Sequence, residues 1–237
     1  MSQLLIVNYH RVDSPHKDAR YRSMFITPEL LRFHIRFLKR CGYRFSTVTD
    51  ALKRPGEDIA CLTFDDGYLD NFRKGFPVLR TMNVPATVYV VTGAIGGHKI
   101  VWRESGDKLP SDILSWDQLK RLRDEGWEIG GHTHDHVHLD RYPKEIQKNT
   151  IVTSKQTLEK ELGVKIESFA YPYGHYNHDT LAVVRAAGFT NAVTTKAGIN
   201  GNSRSTFELQ RISMGGYAGR HYLQSIGRFC YHLVRSS

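Results

Sequence analysis

Residues 59–67, Ile59-Ala60-Cys61-Leu62-Thr63-Phe64-Asp65-Asp66-Gly67, open as a short, mostly apolar run and stop on two adjacent carboxylates. Such a run reads as a buried strand, and Asp-Asp-Gly ends it abruptly. Working outward, Leu4–Tyr9 reads as another short buried strand, followed by a polar loop over 11–25. Thr27 is then a suitable N-cap with Pro28 in the first turn. Leu31, Ile35 and Leu38, at i, i+4 and i+7, predict a helix that Gly42 stops. On the other side, 86–91 predicts a strand and 93–110 a long loop overhanging a site. Ser115 caps a helix through Arg123 that Gly126 ends, and 127–130 predicts a strand leading into His132. The pattern continues with a helix over 144–162, a strand over 168–171, a helix over 178–187 closed by Gly188, and a strand over 191–194. Alternation of this kind predicts an α/β fold in which helices wrap parallel strands, as a barrel or an open sheet. With no linker, repeat or low-complexity tract, 1–237 is expected to be one domain.

The 237 residues are 40% hydrophobic and 24% charged, which excludes a disordered chain or a disulfide-stapled miniprotein. Net charge is 33 − 24 = +9, but the basic residues are scattered and no run of five or six like charges occurs. Solubility accounts for this surplus, and no nucleic-acid partner is expected. Near the end, Arg220, Arg228, His232 and Arg235 interleave with Tyr222, Leu223, Ile226, Phe229 and Leu233 at roughly helical spacing. This reads as a packed terminal helix or as a basic amphipathic helix in peripheral contact with an anionic membrane surface. Leu4, Leu5, Ile6 and Val7 form too short an apolar stretch for a signal peptide. No apolar run approaches the roughly 20 residues of a spanning helix. Cys41, Cys61 and Cys230 lack metal-type spacing. The expected location is cytoplasmic, at most peripheral at the inner membrane face.

Four predicted strand ends carry polar residues: His10, then Asp65 and Asp66, then His132 through His136, then Tyr171 through Gly174. In both architectures functional groups collect at the carboxyl ends of strands, so these four are expected to converge. An unpaired buried carboxylate costs several kcal/mol. Asp65 and Asp66 therefore either cap the next helix, or are held ionised by a cation. His132-Thr133-His134-Asp135-His136 is a polar surface turn on one reading and supplies nitrogen ligands on the other. The register is one residue short of His-x-His-x-Asp-His, and Thr133 stands where a zincin helix needs Glu. His132 and His134 mimic an amidohydrolase pair only in mid-chain. What remains is His132 and His136 with Asp66, a three-ligand catalytic site. Asp65 is then placed to take a proton from a water activated there.

These residues resemble the polysaccharide deacetylases, the carbohydrate esterase family 4 group with a chitooligosaccharide deacetylase homology domain. Thr63-Phe64-Asp65-Asp66-Gly67-Tyr68 is similar to its first motif, whose first Asp is the general base and whose second binds metal. His132 to His136 is similar to its second motif, with the outer histidines as ligands. Phe169-Ala170-Tyr171-Pro172-Tyr173-Gly174 resembles its third. There the resemblance implies an oxyanion-binding backbone N–H at Tyr173 and substrate contacts from Tyr171, Pro172 and Gly174. It further implies a distorted (β/α) barrel of about seven strands, a divalent metal, with Zn2+ first and Co2+, Ni2+, Mn2+ or Fe2+ as alternatives, and an N-acetylated glycan substrate. The sequence departs from the pattern twice. The arginine usually preceding the third motif is missing, and Arg211 is the residue expected to support Asp65 in its place. The late Leu-x-His motif is absent, Leu209-Gln210-Arg211-Ile212-Ser213 standing instead. Tyr9-His10-Arg11-Val12 resembles the opening of the poly-N-acetylglucosamine deacetylase-like subgroup, which implies that His10 is the general acid. The implied activity is removal of N-acetyl groups from an oligosaccharide, a polysaccharide or a lipid-linked glycan. An amide hydrolase of the same fold acting on a non-sugar substrate, or a silent carbohydrate-binding protein, would share the fold. Trp102 and Trp116 are candidates to stack on sugar or to pack in the core.

Overall fold

The computed structural model describes residues 3–214 except 16, 18, 20, 97, 98, 101–110 and 202–204. Eight strands form one sheet, and every pairing in it is parallel. They are β1 (Leu4–Tyr9), β2 (Arg44–Phe45), β3 (Ile59–Phe64), β4 (Thr87–Val90), β5 (Glu128–Gly131), β6 (Ser168–Ala170), β7 (Asn191–Val193) and β8 (Ile212–Ser213). The order is β7-β6-β5-β4-β3-β1-β8, with β2 on the first half of the β3 edge that β4 takes further along. All six residues of β3 are buried, as a strand covered on both faces requires.

The sheet curls until its edges meet. Leu209 makes a parallel bridge to Val193, its N–H donating to the Ala192 carbonyl at 3.0 Å, and three residues later β8 pairs β1 through Val7 and Ile212. One short segment thus joins the two edges of a distorted seven-strand barrel and carries Arg211 inward, where it is 1% exposed.

Among the described residues, six helices lie outside: α1 (Pro28–Arg40), α2 (Val48–Leu52), α3 (Phe76–Thr81), α4 (Trp116–Asp124), α5 (Lys144–Leu162) and α6 (His178–Ala186). Local chemistry accounts for their ends. The Thr27 hydroxyl accepts the Leu30 N–H at 3.3 Å, and Pro28 opens α1. Ser115 with Gln118 and Asn177 with Thr180 form reciprocal capping boxes. On α1, Leu31, Ile35 and Leu38 are fully buried, each contributing roughly 1.5–3 kcal/mol.

The structure departs from the sequence expectations in a few places. The stretch 11–25 is more than a polar loop: Arg11–Val12 pairs in parallel with Phe25–Ile26, because Val12, Phe25 and Ile26 are apolar and buried. Asp65 and Asp66 do not cap a helix, since the helical turn begins later and runs through a π-helical segment, Asn71–Gly75, into α3. The expected loop over 93–110 includes a 3-10 turn (Thr92–Ala94) and a strand, Lys99–Ile100, paired with Ser111–Asp112. Residues 101–110, with Trp102, and the terminal segment from Arg220 to Arg235, with Cys230, lie outside the described residues. Trp116 is half-buried against the core. Cys41 is exposed and Cys61 buried, neither in a disulfide. Among the described residues no helix is long and apolar enough to cross a membrane.

Candidate metal centre and active site

Asp66 follows β3, while His132 and His136 follow β5, and all three are buried. The Asp66 Oδ1 lies 3.4 Å from His132 Nε2 and 3.2 Å from His136 Nε2. One ligand atom from each residue falls within 4.8 Å of the others, forming a candidate metal site. The donor set fits a divalent ion for a specific reason. His132 Nδ1 is 2.8 Å from the Ala170 carbonyl, which can only accept, so Nδ1 carries a proton and Nε2, directed at Asp66, is the nitrogen left to bind an ion. A divalent cation at that position takes the place of the protons shared between the imidazole nitrogens and the carboxylate, binding all three donors.

The backbone around these ligands is strained. Among the described residues, five non-glycine residues have positive φ, and four of them are Asp66 (71°), Thr133 (64°), His136 (53°) and Tyr173 (57°). Each left-handed placement costs of order 1–3 kcal/mol and persists where the surroundings over-determine it. Those surroundings are identifiable. The His136 N–H donates to Thr133 Oγ1 at 2.9 Å, and Thr150 on α5 accepts from the N–H groups of His134 and Asp135. Gly130 precedes the motif because a Cβ there would collide with the Tyr89 ring on β4. His134 is turned away, its Nδ1 2.9 Å from the Thr92 hydroxyl, and Asp135 is exposed.

Asp65 is 3% exposed and receives both arms of Arg211, NH1 to Oδ1 and NH2 to Oδ2, each at 2.7 Å. Arg211 also donates to Thr194 O (2.8 Å), Asn8 Oδ1 (3.2 Å) and Thr63 Oγ1 (3.1 Å). Burial pushes the Asp65 carboxyl up, but the charge and hydrogen bonds of Arg211, then His132 and His10, outweigh it and hold it below the usual carboxylate value. At Asp66 burial is likewise outweighed, here by hydrogen bonds from His132 and His136, and the group lies well below the ordinary value. Burial outweighs the hydrogen bond to Asp66 and depresses His136. The same penalty at His132 is exceeded by the hydrogen bond to Asp66 and the charges of Asp65 and Asp66, which raise it.

His10, half-buried at the end of β1, is near enough for its charge to lower both carboxyls. The sequence did not reveal what holds it. Asn71 Nδ2 donates to the His10 carbonyl at 2.7 Å, while Asp70 accepts from Arg11 Nε (2.9 Å) and the Val12 N–H (2.8 Å). Only the polarity of Asp70-Asn71 inside a helical stretch hinted at that clamp.

Tyr173 packs its ring against His136, centroids 4.6 Å apart. Tyr171 and Pro172 are buried. The Tyr171 hydroxyl donates to the Phe207 carbonyl at 2.9 Å and its N–H to the Val193 carbonyl at 3.3 Å. Those two residues therefore shape the turn, and Tyr173 and Gly174 form its half-buried face. His10, Asp65, Asp66, His132, His136, Tyr173 and Arg211 thus meet at one end of the barrel.

The profile of one family, polysaccharide deacetylase, matches residues 52–192. The protein YxkH of Bacillus subtilis is 27% identical over 235 residues, 95% of this chain and 77% of that protein. The poly-beta-1,6-N-acetyl-D-glucosamine N-deacetylase of Staphylococcus aureus (strain MRSA252) is 25% identical over 244 residues, 93% of this chain and 81% of that protein. Among solved structures, the Streptococcus pyogenes deacetylase PplD in complex with acetate aligns with a TM-score of 0.77 at 26% identity, covering 94% of this chain and 96% of that one. IcaB from Ammonifex degensii aligns with a TM-score of 0.79 at 24% identity, covering 96% and 97%, a likeness of fold.

Proposed function

Because this chain belongs to the polysaccharide deacetylase family, we propose that it is a metal-dependent hydrolase that removes N-acetyl groups from N-acetylated sugars, in an oligosaccharide, a polysaccharide or a lipid-linked glycan. One observation carries the reading: a buried carboxylate gripped by both arms of Arg211 stands directly beside the Asp66, His132 and His136 cluster. Two imidazoles and one carboxylate suit Zn2+ first, and also Co2+, Ni2+, Mn2+ or Fe2+. Asp66, His132 and His136 would hold such an ion, which would supply Lewis acidity toward water and the amide carbonyl.

The chain's own groups divide the remaining work. Asp65, fixed by Arg211, accepts a proton from the attacking water. The backbone N–H of Tyr173 donates to the oxyanion that develops on the carbonyl, a task suited to a backbone donor fixed before reaction. His10 gives a proton to the leaving nitrogen as the C–N bond breaks, so that acetate and a free amine depart. The turn formed by Tyr171, Pro172 and Gly174 presents Tyr173 to the glycan. The Staphylococcus aureus relative, named for poly-β-1,6-N-acetyl-D-glucosamine, supports a β-linked N-acetylglucosamine substrate.

The test is acetate release from N-acetylglucosamine oligomers and from lipid-linked amino sugars, before and after chelation and with metal restored. Acetate should appear only with metal present. A metal-loaded protein that frees no acetate from any N-acetylated glycan would overturn the proposal.

A further inference from the structure

A second cluster of ligand-type side chains lies near the buried one, both of them touching the Tyr173 ring. His138 and Asp140 come from the 3-10 turn Leu139–Arg141 and its N-cap, while His175 closes the turn Pro172–Gly174. His175 Nδ1 is 3.3 Å from Asp140 Oδ2. The His138 and His175 rings meet edge to face, centroids 5.0 Å apart and planes at 70°. One ligand atom from each of the three falls within 4.8 Å of the others. We propose that His138, Asp140 and His175 form a second divalent-metal site of the zinc class, separate from the buried cluster and weaker than it.

The geometry supports this in three ways. First, bonds of about 2.0–2.1 Å in a tetrahedral site place donor atoms roughly 3.4 Å apart. Asp140 and His175 already meet that spacing. Second, the His138 ring is oriented in advance, stacked on Tyr173 with centroids 3.9 Å apart and planes at 8°. An oriented ligand loses less entropy on binding, and the small closure still required falls on Asp140 and His175, both exposed. Third, an ordinary surface ion pair would need only Asp140 and His175, whereas the fold brings a further imidazole to the same spot. Exposure of two of the three ligands leaves the remaining coordination positions open to water and makes the site weaker. Tyr173 stands between the clusters, with His138 on one side and His136 on the other.

Protein freed of metal by dialysis against chelator and then titrated calorimetrically with Zn2+ alone should bind two equivalents, one tight and one weak. The double variant Asp140→Asn, His175→Ala should lose the weak equivalent and keep the tight one. Asp66→Asn should lose the tight one and keep the weak. A single equivalent in the unaltered protein, or two equivalents retained in the double variant, overturns the proposal. So does loss of both equivalents in Asp66→Asn, since the outer ligands would then have no affinity of their own. Because the Asp66 and outer-site variants are read separately, failure of the outer site leaves the proposed function standing.

Discussion

Arg211 is nearly inaccessible to water and directs its guanidinium at four residues, of which Asp65 takes two of the bonds. A buried ion pair of this geometry adds little net stability, yet removing one partner strands the other charge, at a cost of about 3–5 kcal/mol. Arg211→Met should lower unfolding free energy by that amount in urea titrations. Arg211→Lys should cost less, because a charge remains, while still lowering kcat more than it changes KM, because an ammonium cannot hold both carboxylate oxygens. Equal kcat in the Lys variant would show that the fork is not needed to orient Asp65. His10→Ala should lower kcat about 10²–10⁴-fold with metal content unchanged, as loss of a general acid requires. Near-normal turnover, measured as acetate release, would remove His10 from the mechanism. At this scale, the ligand trio and Asp65 were readable because two short motifs hold them. The link from Arg211 to Asp65 was visible only as a residue standing in for a missing one. Its bonds to Thr194, Asn8 and Thr63 leave no local trace in the sequence.

Single elements carry two further expectations. The turn bearing Tyr173 depends on Gly174, whose φ is 72° and whose Cβ, if added, would run into the Thr195 side chain. Gly174→Ala should therefore displace the turn and lower acetate release by at least tenfold, while costing about 1–3 kcal/mol in stability. Unchanged turnover would free the turn from any role in the reaction. On α1, His34 is buried and its Nδ1 pairs with the Tyr9 hydroxyl at 3.0 Å. Burial drives its pKa down to about 4. The unfolded chain takes up this proton near pH 6.5, whereas the folded one resists until about 4, so the stability present at neutral pH is lost as pH falls through that window. Between pH 7 and pH 5 the loss should be about 2 kcal/mol in urea titrations, and His34→Leu should lack this increment. Helix and strand spans were largely legible, because caps, glycine stops and apolar spacing are written in adjacent residues. The π-helical turn at Asn71–Gly75 and the Arg11–Val12 pairing with Phe25–Ile26 were not, since each depends on partners brought in by the fold.

Across the whole molecule, the buried ligands connect the ends of β3 and β5, which are not neighbours because β4 runs between them. An ion there binds the folded state alone. At free metal about 100-fold above Kd, linkage adds about 2.7 kcal/mol. For a chain of this size that corresponds to about 5–10 °C in thermal midpoint. Chelation should remove this increment in a melting experiment, and Asp66→Asn should abolish the response to tight-binding metal. Read as a string, the chain specified its alternating strands and helices, the carboxylate pair and the histidine motif, because periodicity, capping and strand-ending turns depend on near neighbours. Closure of the barrel was settled elsewhere. The segment around Leu209 joins β7 to β1, and that closure carries Arg211 to Asp65 and sets it against Asn8. The convergence of His138 and Asp140 with His175 was settled in the same way. Contacts between residues so far apart in the chain exist only once the sheet has curled and packed, and no local pattern encodes them.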